Sequence, residues 1–304
     1  MGPLATTLEG LVSGPWAALW YALLALIALG AQLRRRPWLT GTTLVAPWWW
    51  SLVALAALVG SEVLIALAED PAPEWSAPLR LAAAMSTFLP AMALLGAKRP
   101  QDRGWQLIVL SLWGILALPS IEWMLFGGQT ELHPARFWFL VILIFVGATN
   151  GLGTRHWPTS FAYCVGQILL LTSLFSSPPL AWGPLAGIAA IVVAWLLETL
   201  RWRRDARANL PLNRVWLDFR DAFGVVWALR IMERMNASTR MYHWPVALGW
   251  TGFHAVEGDA VTDIPPAVEE SLRTLLRRFV SPEWIDARLA DAAPTASSRV
   301  PLGS

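Results

Sequence analysis

Predominantly apolar stretches, each long enough to cross a bilayer core of about 30 Å as a helix, recur seven times in the first 200 residues. They run over Pro15–Leu33, Pro47–Leu67, Leu79–Ala97, Gly104–Phe126, Phe137–Gly153, Trp157–Phe175 and Leu180–Leu200. Beyond residue 200 the period changes. Over Leu212–Asn236, Trp216, Phe219, Phe223, Trp227, Ile231 and Met235 fall three or four apart, with Arg214, Asp218, Arg220, Asp221, Arg230, Glu233 and Arg234 between them. That spacing predicts a long amphipathic helix. The aromatic, glycine-punctuated run 243–256 predicts a short hairpin or an irregular loop. Pro265–Val280 reads as a second amphipathic helix, with Pro266, Glu269 and Glu270 at its start and Arg277 and Arg278 at its end, as the helix dipole favours. Ser281-Pro282-Glu283 opens a third, short helix that ends near Ala290.

The predicted fold class is an all-α membrane protein. A seven-transmembrane-helix bundle covers residues 1–200 and a small, mostly helical cytoplasmic C-terminal domain covers 201–292. An Ala-, Ser- and Pro-rich tail, 293–304, is predicted to be disordered.

Charge divides the chain at the same place. Residues 1–200 carry 9 basic and 9 acidic side chains, and residues 201–304 carry 14 and 12. The whole chain is 14% charged, against about 25% for soluble proteins. The basic residues also orient the bundle. Arg34 to Arg36, Lys98, Arg99, Arg103, Arg155, Arg201, Arg203, Arg204 and Arg207 fall on one side; Arg80 and Arg136 fall on the other, with Glu69, Asp70, Glu74 and Glu131. This predicts an inner-membrane protein with its N-terminus outside and its C-terminal domain in the cytoplasm. No basic residue precedes the first stretch and its apolar run is long, so it reads as an uncleaved span rather than a signal peptide. Trp38, Trp48 to Trp50, Trp105, Trp157 and Trp202 are expected at the cytoplasmic interface, and Trp16, Trp75, Trp123, Trp138 and Trp182 at the outer one. The excess of arginine over lysine and the many alanines point to a GC-rich bacterial genome.

Single-residue counts exclude several chemistries. Lys98, the one lysine, lies in Ala-Lys-Arg-Pro rather than in a Gly-rich phosphate loop or an apolar pocket. Cys164, the one cysteine, permits no disulfide and no Cys-pair metal site. His243, His254, Glu257 and Asp259 match no metal-ligand spacing, and no cofactor is expected. A net charge of +2 over 201–304 argues against nucleic acid. Asn236-Ala-Ser is a glycosylation triplet on the wrong side of the membrane. No internal repeat is visible.

The candidates for chemistry are the polar groups at membrane depth. Glu62 lies about 22 Å along the second span and Glu122 lies near the outer end of the fourth; with Glu131 and His133 they outline an outward-facing acidic pocket. Ser160, Tyr163, Cys164 and Gln167 share one face of the sixth span, with Ser86, Thr87, Thr149 and Asn150 as neighbours able to bond them. This stripe reads either as a pathway lining or as interhelical hydrogen bonding. Pro90 and Pro119 predict kinks in the third and fourth spans, and Gly183 and Gly187 would permit close helix contact. Three functions follow. The first is a non-catalytic, receptor-like or scaffold subunit that docks a protein partner through Trp216, Phe219, Phe223, Trp227 and Ile231. The second is a small-solute or proton-coupled transporter built on Glu62 and the sixth-span stripe. The third, a membrane-embedded enzyme on lipid-like substrates, lacks an acid cluster at the cytoplasmic interface.

Overall fold

A backbone surrounded by lipid has no water to pair with, so an apolar stretch closes its hydrogen bonds within itself. All seven stretches are accordingly helical. The computed structural model describes residues 15–68, 73–127, 134–175, 180, 182–200, 210–257 and 264–290. Glu69, Asp70, Glu131, His133, Arg201 to Arg207, Asp259 and the tail 293–304 lie outside the described residues.

Two compact units make up the chain: Met1–Leu39 with Thr43–Trp202, and Thr40–Thr42 with Arg203–Ser304. The first holds α1 (Pro15–Arg35), α2 (Val45–Ala66), α3 (Ser76–Ser86), α4 (Leu89–Leu95), α5 (Asp102–Phe126), α6 (Pro134–Asn150), α7 (Trp157–Phe175) and α8 (Gly183–Leu200). Among the described residues, five segments are long and apolar enough to cross a membrane: Trp16–Leu39, Val45–Ala66, Ser76–Leu95, Arg103–Phe126 and Trp157–Phe175. Pro134–Asn150 and Gly183–Thr199 are apolar but shorter.

The third stretch is the core of this unit. Leu81, Ala83, Ala84, Met85, Phe88 and Leu89 are all buried, and α3 with α4 packs against α2, α5 and α7. Outward faces elsewhere are apolar: Leu107, Ile115, Leu125, Phe126, Phe145 and Phe161 are all more than half exposed, as lipid-facing side chains should be. Tryptophan divides into two populations. Trp16, Trp138 and Trp157 expose their rings, whereas Trp48 and Trp105 are packing elements whose indole N–H groups donate to the carbonyls of Gln32 (3.0 Å) and Met92 (2.8 Å). Trp105 also lies flat over Gly96, where a Cβ would fall 2.0 Å from its ring.

The second unit is built on α9 (Pro211–Tyr242), a hairpin of β1 (Val246–Gly249) and β2 (Gly252–Ala255), α10 (Pro266–Leu276) and α11 (Pro282–Ala290). α9 extends beyond the predicted end at Asn236 and is interrupted at Gly224, whose φ of 78° and ψ of −177° lie outside helical space. That region is open to glycine almost alone, so Gly224→Ala is expected to destabilise the unit by about 1–3 kcal/mol. Faster amide exchange on both sides of the break would register the loss.

The hairpin pairs antiparallel, with Val246 opposite Ala255 and Gly249 opposite Gly252. Two asparagines of α9 stand in for missing strands. The Asn236 amide donates to Leu248 O (2.9 Å) and accepts from Leu248 N–H (2.8 Å), while Asn213 Oδ1 accepts from Phe253 N–H (2.8 Å). Both free edges are therefore capped. The short segment Thr40–Thr42 joins this unit through a bridge between Thr42 and Val280 and a bond from Ser281 N–H to Gly41 O (2.6 Å). Gly41 has φ +79°, and a Cβ there would fall 2.7 Å from Ser281 Oγ.

Candidate functional site

Glu62 is buried on α2, and its carboxylate is held by both arms of Arg80 on α3, with Nε at 2.8 Å and Nη2 at 2.9 Å. Tyr21 of α1, also buried, lies near the same carboxylate. A fork-to-fork pair of this kind neutralises a charge that membrane burial would otherwise penalise by several kcal/mol. Arg80 is thus a member of the network, a role its count among the loop arginines concealed. Glu122 stands apart. It is exposed near the end of α5, and no described residue pairs with it.

The second polar centre surrounds the break in the third stretch. α3 ends at Ser86 and α4 starts at Leu89, with Pro90 in its first turn. A proline there donates no backbone hydrogen bond, so carbonyls of the preceding turn need other donors. Thr87 O receives Tyr163 O–H (2.8 Å) and Gln167 Nε2 (3.3 Å), and Gln167 Nε2 also lies 3.2 Å from Thr87 Oγ1. Two members of the predicted stripe therefore close the backbone of the broken helix. Of the others, Cys164 Sγ donates to Ile144 O (3.6 Å), and Ser160 sits directly over Gly151, where a Cβ would fall 2.1 Å from its hydroxyl. Ser86 and Thr149 turn back to carbonyls of their own helices, and Asn150 closes α6. Pro119, by contrast, is accommodated within a continuous α5.

α7 also packs closely on α8. Gly166 and Gly187 face one another so closely that a Cβ on Gly166 would lie 2.8 Å from Gly187 O, and one on Gly187 would lie 3.1 Å from Gly166 O. Gly183 meets Ser173 in the same way. Small residues permit this approach in lipid, where dispersion replaces the hydrophobic drive. The pair Gly183/Gly187 was legible in the sequence. Gly166 was not, because its partner lies on another helix and no regular spacing marks it. Gly166→Leu is expected to separate α7 from α8 and shift the thermal midpoint of the reconstituted protein by several degrees. Gln167→Leu removes bonds averaging about 0.6 kcal/mol each and should shift it far less.

A third pair joins the far ends of the bundle, Arg35 of α1 with Glu198 of α8. One turn before Arg35, Gln32 is fully buried, and its side-chain amide has no partner among the described residues.

In the C-terminal unit the aromatic stripe faces inward. Trp216, Phe219 and Phe223 are fully buried, and Trp227 and Ile231 nearly so. Phe279 is the hub of this cluster, with ring centroids 5.4 Å from Phe219, 5.4 Å from Phe223 and 4.9 Å from Trp227. The docking role expected of these five residues is corrected: their apolar area is covered by α10, α11 and the hairpin of the same unit. Phe279 escaped the sequence reading because one phenylalanine at a helix end carries no periodic signal.

Some of the charge here is paired locally. Arg220, buried beside Asp221, binds its carboxylate at 2.7 Å and donates to Trp250 O at 2.8 Å. Arg273 lies between Asp286 (2.6 Å) and Glu269 (2.9 Å), and those carboxylates, Asp286 first, raise its pKa above the ordinary arginine value. Among the described residues no group of three or more His, Cys, Asp or Glu could hold a metal ion.

No protein-family model, no curated protein and no solved structure matches this chain.

Proposed function

We propose that this chain is a seven-span protein of a bacterial inner membrane, with its N-terminus outside, and that it serves as a non-catalytic, receptor-like or scaffold subunit docking a protein partner through its cytoplasmic C-terminal unit. One observation carries the reading: many of the polar groups of the membrane unit are engaged with one another. Glu62 is clamped by Arg80, Tyr163 and Gln167 are bound to Thr87, and Arg35 is bound to Glu198. A bundle tied in this way suits a fixed platform better than a path that must open and close. The two shorter helices enter the count because 17 or 18 residues still reach about 25–27 Å. Parity supports the sidedness. Thr40–Thr42 follow the first span yet belong to the C-terminal unit. One folded unit does not straddle a bilayer, which favours an odd number of crossings before residue 200, the seven proposed here among them. The aromatic stripe being core, the partner meets the exterior of the unit.

Mild crosslinking of the native membrane followed by purification tests the reading. A protein recovered repeatedly in fixed proportion, and lost when residues 210–290 are deleted, supports it. A chain that is monodisperse and recovers no partner refutes it. A reporter fused after Ser304 should be active in the cytoplasm, and periplasmic activity would overturn the topology.

The break in the central helix favours a second reading, since interrupted helices at membrane depth form solute sites in many transporters. Solute uptake into vesicles that Glu62→Gln abolishes, with the fold retained, would support transport. Uptake indifferent to the change would count against it.

A further inference from the structure

Past Gly224, α9 turns Trp227, Ala228, Ile231, Met235 and Thr239 into the core of its unit. Its outward face presents Leu229, Arg230, Arg234, Arg240, Met241 and Tyr242, all exposed, with Glu233 the one acid among them. None of the three arginines has a carboxylate partner among the described residues; Arg230 lies over the Trp227 ring at 5.2 Å. The apolar end of this face is capped. Met241 and Tyr242 are 71% and 62% exposed, and Tyr242 stacks on Trp244 at 5.3 Å. His243 caps the helix in the left-handed conformation, and Trp244 N–H returns to Thr239 O at 3.1 Å.

We propose that this face binds an anionic lipid surface, the arginines meeting headgroup phosphates while Met241, Tyr242 and Trp244 enter the headgroup boundary. Unpaired arginines beside an apolar, aromatic end are the two halves of interfacial recognition. The guanidinium forks match phosphate, and tyrosine and tryptophan settle at headgroup depth. An acidic protein would satisfy the arginines but not the apolar end. Lipid satisfies both, and the nine residues 201–209, which reach at most about 30 Å, tether the start of α9 to the last apolar helix. The inference goes beyond the scaffold reading and does not depend on any partner.

The single, buried cysteine makes the test direct. In a Cys164→Ser background, Met241→Cys is labelled with an environment-sensitive fluorophore, and the full chain is reconstituted into nanodiscs of zwitterionic lipid or with one-third phosphatidylglycerol. A second chain labelled at Glu270→Cys, on α10, reports ordinary exposure. The expected result is a blue-shifted probe at 241, quenched by spin-labelled lipid in anionic discs and released by high salt. Each Arg→Gln at 230, 234 or 240 should weaken the contact about fivefold. The label at 270 should remain solvent-like throughout. A probe at 241 no more shielded than the one at 270 overturns the proposal. So does shielding without lipid quenching, which would mean that protein covers the face, and so does quenching that ignores the arginine charges.

Discussion

Arg80→Leu is expected to destabilise the membrane unit by about 3–5 kcal/mol, the cost of stranding one member of a buried ion pair. Glu62→Leu should cost less. The two side chains differ in their access to water: Arg80 is 34% exposed and Glu62 5%. A stranded arginine can snorkel toward the interface, whereas a stranded Glu62 has nowhere to go. The double variant should be more stable than Arg80→Leu alone, since it leaves no buried charge unpaired. Thermal unfolding of the reconstituted protein, followed for all three, measures the coupling. Equal effects of the two single variants, or a double variant that loses their sum, would show that the pair is not the clamp described above. The same series bears on function. If the network is structural, Glu62 variants should change stability before they change any activity.

Phe279→Ala should have a comparable effect on the other unit. Removing a fully buried phenylalanine costs about 3–5 kcal/mol. Domains of this size hold roughly 0.05–0.15 kcal/mol per residue, so for a unit of about 100 residues the loss is a large fraction of the whole. In the intact protein, hydrogen exchange should accelerate across 211–242 and the hairpin while α1 to α8 keep their protection. Arg273→Ala is the control. Its ion pairs with Glu269 and Asp286 are partly exposed and contribute about 1 kcal/mol or less, so protection should barely change. Unaltered exchange in Phe279→Ala would mean that the ring cluster does not hold the unit together, and the docking role of Trp216 to Ile231 would reopen.

Both experiments turn on residues the sequence treated unequally. Glu62 stood out because a carboxylate in an apolar run is rare. Arg80 did not, because at the second position of the predicted span Leu79–Ala97 a basic side chain looks like part of a loop. The stripe Ser160, Tyr163, Cys164 and Gln167 was visible from helical periodicity, and Pro90 marked the break; that Tyr163 and Gln167 close the carbonyl at that break is a relation between two helices 76 and 80 residues apart. Trp216 to Ile231 show the opposite limit. An amphipathic pattern states that a face will be covered, not by what, and here α10, α11 and the hairpin cover it.

Secondary structure followed from the chain alone, since apolar length, period and proline position act within one helical turn or one membrane crossing. Trp157–Phe175 matches its predicted bounds residue for residue, and the remaining helices start and stop within a few positions of theirs, apart from the extension of α9 and the division of Leu79–Ala97 into α3 and α4. What only tertiary packing decided was partnership: which carbonyl Gln167 meets, which glycine lies behind Gly166, which arginine neutralises Glu62, and that Thr40–Thr42 belong with Val280 and Ser281. Such pairings depend on the distance between elements far apart in sequence. No local propensity encodes that distance, and the balance of burial, close packing and polar satisfaction over the whole unit sets it.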